Sequence, residues 1–203
     1  MRRHTAFAGV FSGYVKNNKI ALLACTAVMI LGICVGSAYC VSLANKDALK
    51  EGVGGFDALK STYNGGMVFF SSLISIMQLA FFVWLCGCAK IGIVFAPIIL
   101  SIKGFACGFC ISSLVSLYGA DGLLASVVGI FPQMIFVFAL LEVLCIAAIN
   151  QAIYSGAIVD KMEKRRRFVA YCIFCSLVFS LFALCSLFEA YISPHLLIWA
   201  LEL

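Results

Sequence analysis

The sequence predicts an all-α integral membrane protein, a bundle of about five transmembrane helices. Three observations carry this. Of 203 residues, 64% are hydrophobic and only 11% are charged. The mean hydropathy is +1.12. The few charges fall between long apolar runs instead of being spread along the chain. Soluble domains carry about 45–50% apolar and roughly 25% charged residues, because polar side chains must cover the surface. A soluble enzyme, a disordered chain and a nucleic-acid binder are thereby excluded.

Charge-free runs measure the crossings, since a helix needs about 20 apolar residues to span roughly 30 Å of hydrocarbon. The first expected span is 20–43, bounded by Lys19 and by Asn45-Lys46. Its apolar run is longer than the h-region of a cleavable signal peptide, and further spans follow it. The second is 67–89, closed by Lys90, and the third is 91–118, interrupted by Lys103. From Gly122 to Val159 the chain is uncharged except for Glu142, with Pro132 inside. That stretch is too long for one straight crossing and too short for two. A short, bent or partly re-entrant segment over 122–131 is therefore expected before a fourth span at 132–157. The fifth, 168–188, follows the basic cluster Lys161, Lys164, Arg165, Arg166 and Arg167.

The positive-inside rule orients the bundle. A cytoplasmic N-terminus puts Arg2, Arg3, Lys16, Lys19, Lys90 and the five residues of the 161–167 cluster inside. Only Lys46, Lys50 and Lys60 then lie outside, and five crossings leave the C-terminus outside. The net charge of +5 thus reads as an orientation signal. Residues 1–19 combine basic residues with Phe7, Val10, Phe11 and Tyr14 and suit a cytoplasmic interfacial helix. The outer connection 45–66 is glycine-rich, and the apolar tail 189–203 suits the outer interface.

Eleven cysteines include the pairs Cys107/Cys110 and Cys172/Cys175. A redox or zinc site needs thiolates with positive charge or metal nearby. In apolar spans a thiol behaves instead as a small hydrophobe at a packing position. No nucleophile–base set, metal site or phosphate loop is present in the pattern, so neither catalysis nor a cofactor is expected.

Lys103 and Glu142 are the sharper leads, because an ionisable residue in hydrocarbon costs about 3 kcal/mol on insertion scales. Lys103 lies 18 residues before Asp121 and Glu142 lies 21 after it. A simple hairpin would therefore pair them. The alternatives are separate wet cavities, or Lys103 reaching the headgroups. Gly104 and Gly108 have the spacing of close helix contact. Pro97 and Pro132 free backbone carbonyls, so each marks an expected bend, and Gln133 beside the second marks a candidate cavity.

Four stretches carry a family resemblance: Asn17-Asn18, Ile102-Lys103-Gly104 with Gly108, Phe131-Pro132-Gln133, and Phe188-Glu189-Ala190-Tyr191-Ile192-Ser193-Pro194. Together they resemble the stage II sporulation protein M family over nearly the whole chain. Wider relatives often carry Pro-His-Gly and a nearby Glu, whereas Gln133-Met134 follow Pro132 here. No His/Glu chemistry is carried over. The resemblance implies a non-enzymatic scaffold of the engulfment machinery in the cell membrane, at the sporulation septum and engulfing mother-cell membrane. It would anchor the peptidoglycan-degrading stage II sporulation proteins D and P. The candidate structural and partner-contact residues are Lys103, Gly104, Gly108, Pro132, Gln133, Glu142, Glu189, Tyr191 and Pro194, with Glu189 and Tyr191 locking the end of span five. The other partners expected are membrane lipid and, as an open option, a second copy of the chain. A transporter or permease subunit, including half of a homodimeric pore, is the alternative reading of the polar residues within the spans.

Overall fold

A run of 24 uncharged residues in a helix is about 36 Å long, enough to cross a bilayer. The computed structural model describes residues 18–42, 65–89, 92–157 and 161–191, and these are helical apart from short turns. Five helices follow in order: α1 Lys19–Ser42, α2 Gly65–Cys88, α3 Gly92–Ala125, α4 Phe131–Ala157 and α5 Lys161–Tyr191. A π-helical turn, Ser126–Ile130, joins α3 to α4. All five are long and apolar enough to cross a membrane. The interfacial helix expected over 1–19, the tail with Pro194 and most of the 45–66 connection lie outside the described residues. Gly65 and Gly66 of that connection open α2.

The bend expected before the fourth span is present, and its form is specific. Gly119 has φ 62° and ψ −128°, while the rest of α3 is helical. Only glycine adopts such a backbone without strain. Beyond it the chain folds back, so that a Cβ on Gly122 would meet the Leu114 carbonyl. The 122–131 segment is therefore helical and starts the returning arm of a hairpin. The π turn lies just before Pro132. In a regular α-helix the Pro132 ring would meet the Val128 carbonyl, and widening the turn relieves that clash. Pro97 behaves differently. Only five residues of α3 precede it, and the backbone stays helical through it.

Helix α4 is the centre of the bundle and packs against each of the other four. Leu144, Cys145, Ile146, Ala147, Ala148 and Ile149 are buried in unbroken succession, so the middle of this helix is enclosed, while Phe136 and Ile153 nearer its ends are exposed. Helix α1 sits at the periphery and packs chiefly on α3. Leu31, Val35, Phe136, Ile173 and Leu177 are exposed. In water such a surface would drive aggregation, but in a bilayer it is the lipid-facing side.

Candidate functional site

Without a hydrophobic drive between helices in lipid, association relies on close backbone contact and polar pairing. The α1–α3 pair uses both. A Cβ on Gly32 or Gly36 would strike the carbonyls of Ser101 or Phe105. A Cβ on Gly104 would lie 2.7 Å from the Met29 carbonyl, and one on Gly108 would strike that of Ile33. Four glycines, two per helix, thus admit carbonyl oxygens of the facing helix, the arrangement in which Cα–H groups point at C=O. The contacts advance together along both chains, so the helices run parallel. Farther along, Cys40 Sγ meets Ser113 Oγ at 3.3 Å, and Ser112 Oγ donates to the Ser37 carbonyl at 3.4 Å. Gly104 and Gly108 were legible from spacing alone. Their partners Gly32 and Gly36 carry the same four-residue signal and were missed.

Facing α4, helix α3 presents Ala96, Leu100, Lys103, Cys107, Cys110 and Leu114, alternating steps of four and three residues. Ala96, Leu100, Cys107 and Leu114 of this stripe are buried, and Lys103 and Cys110 are half-buried. Lys103 is therefore turned toward the bundle. Glu142 is half-buried on α4, yet its Oε1 is enclosed and has no hydrogen-bond partner. Lys103 and Glu142 form no ion pair; among the described residues the ion pair is Arg167–Glu163. The cause is register. Cys145 Sγ donates to the Ala96 carbonyl at 3.5 Å. Seven residues along each helix from that contact, Lys103 is level with Phe138. Glu142 lies about one turn away in one direction, roughly 6 Å, and Gln133 about five residues away in the other. A symmetric hairpin about Asp121 already sets Lys103 level with Ala139, three residues short of Glu142, and the observed register adds one residue more.

Gln133 is 5% exposed and its Oε1 has no partner. Ser186 of α5 is fully buried, and its Oγ is likewise unpartnered. The antiparallel α4–α5 pairing, marked by Gln151 and Ala170 on one cavity, puts Ser186 near the depth of Gln133. Pro132 is half-buried at the start of α4 and Tyr191 is exposed at the end of α5. Glu189 lies in the last turn of α5. Tyr171, not singled out by the sequence, is buried and donates to the Trp84 carbonyl at 3.1 Å, tying α5 to α2. Gly87 leaves room for that ring. Among the described residues, no three His, Cys, Asp or Glu side chains come together as metal ligands.

The family model for stage II sporulation protein M matches residues 6–194. The chain belongs to the stage II sporulation protein M family. It is a multi-pass membrane protein of that family, which is not known as a catalytic one. The match takes in all five helices, and with them Lys103, the paired glycines and the Pro132–Gln133 turn. No curated protein and no solved structure matches the chain.

Proposed function

We propose that this stage II sporulation protein M family member is a non-enzymatic membrane scaffold of engulfment. On this reading it anchors the peptidoglycan-degrading stage II sporulation proteins D and P at the septal and engulfing membrane. The observation that carries the reading is the family match over residues 6–194. The bundle is compatible with it: the middle of helix α4 is enclosed by its neighbours, while the helices leave broad apolar faces for lipid or partner spans. The ends of α1, α3 and α5 that lie away from the basic cluster would be the extracytoplasmic side. Affinity capture of the tagged chain in mild detergent from sporulating cells tests the proposal. Recovery of the two wall-degrading enzymes supports it, and their absence while the bait is intact and membrane-bound would overturn it.

A second reading, a transporter or permease subunit, draws on the unpartnered Oε1 atoms of Gln133 and Glu142 and on Lys103 turned inward. Substrate-dependent flux through proteoliposomes of the pure protein would favour it over the scaffold.

A further inference from the structure

At the basic end of the bundle, α2, α4 and α5 leave a cavity of about 340 Å³. Its lining is Gly87 and Cys88 from α2, Gln151 from α4, and Lys161, Lys164, Arg165 and Phe168 from α5. We propose that this cavity binds the headgroup of an anionic phospholipid.

Three observations point there. First, one face of α5 offers Lys161, then Lys164 and Arg165, then Phe168. Cations occupy the first two turns and an exposed aromatic ring the third, followed along the helix by exposed Val169 and Ile173. Charge giving way to apolar surface along one helix matches a phosphodiester joined to acyl chains. A soluble polyanion or an acidic protein would have no use for the apolar half. Second, Glu163, the acid within this basic stretch, is engaged elsewhere. Its Oε1 accepts from Arg167 Nη2 at 2.9 Å, and the Arg167 guanidinium lies 5.0 Å from the centre of the Tyr154 ring. Among the described residues, the cations lining the cavity are thus left to face an incoming anion. Third, Gln151 brings an uncharged amide to the same cavity and also lines the neighbouring one between α4 and α5, of about 250 Å³. An amide N–H beside two or three cations is a donor set for phosphate oxygens. Basic pockets between membrane helices are recurrent headgroup sites.

A basic cluster that merely orients the chain would act through its charge alone, and Arg166 separates the two cases. It belongs to the same run but lines neither cavity. The test titrates the purified full chain in neutral detergent with phosphatidylglycerol and reads lipid retention by native mass spectrometry and the thermal midpoint. Phosphatidylcholine and free glycerol 3-phosphate serve as separate arms. The expected result is retention and stabilisation by phosphatidylglycerol only. The Lys164→Gln/Arg165→Gln double variant should bind about tenfold more weakly or worse. Gln151→Leu should weaken binding with no change of charge, and Arg166→Gln should bind as the wild type does. All the cationic positions are exposed, so these variants fold; each is checked by its lipid-free midpoint. Should Gln151→Leu fail that check, Gln151→Glu replaces it and should abolish binding. Equal weakening by Arg166→Gln would overturn the proposal, as would a full response to phosphatidylcholine or to glycerol 3-phosphate.

Discussion

Single atoms decide what the buried polar residues can do. Gln133 Oε1 and Ser186 Oγ are enclosed acceptors without partners. An enclosed polar atom left unpaired costs about 1–3 kcal/mol, whereas an apolar group of the same shape there can be neutral or stabilising. Gln133→Leu is therefore expected to raise the thermal midpoint in detergent; a lowered midpoint would mean that Oε1 is satisfied after all. If the same variant also fails to support engulfment, the amide is retained for function at a cost in stability. The glycines obey the opposite rule. Gly36→Ala places a methyl where the Phe105 carbonyl already lies, and Gly108→Ala does the same at the Ile33 carbonyl. Each is expected to lose about 1–3 kcal/mol by over-packing, since the obstacle is backbone and cannot swing aside. Unchanged unfolding midpoints in both would refute that contact. Gly119→Ala separates space from conformation: nothing lies within 4 Å of its Cβ position, yet φ is 62°. A loss of about 1–3 kcal/mol is expected there from backbone strain alone.

Between helices, register is the quantity that matters. The parallel α1–α3 pairing brings Cys40 against Ser113. Ser113→Cys, in a background where Cys40 is the sole native cysteine kept, is expected to form a disulfide between Cys40 and the introduced thiol under mild oxidation. Cross-linking of Cys40 in an Ala96→Cys variant instead would show an antiparallel pair. How much of this was legible differs by element. The five helices follow from the charge-free runs, because hydrocarbon imposes one length on every span. The charge pattern places the basic cluster ahead of the fifth span, yet α5 already begins at Lys161, since helices extend past the apolar belt where charged side chains can reach water. The hairpin was harder. Asp121 looked like the turn because it is charged, but the turn needs a positive φ, and Gly119 supplies it. The unequal arms of 18 and 21 residues about Asp121, with one residue added by the observed register, separate Lys103 from Glu142. Gly32 and Gly36 were readable in principle; what could not be read was which helix their spacing would meet.

For the molecule as a whole, the basic start of α5 and the start of α1 at Lys19 share one side of the bundle, which the positive-inside rule predicts to be cytoplasmic. A reporter fused to the C-terminus is expected to be active only outside the cytoplasm; cytoplasmic activity would refute this orientation. The parallel α1–α3 contact also sets a schedule for assembly. Helix α1 is made before α3, and the carbonyl-accepting surface of Gly108 follows Gly36 by 72 residues. At the ribosome's pace of about 5–20 residues per second, that is a wait of roughly 4–14 s. During that interval the first helix stands in lipid beside α2, its glycine face open to any passing helix. Nascent chains stalled before α3 emerges are expected to be degraded faster than the complete protein, and closure of the α1–α3 glycine contacts ends that exposure.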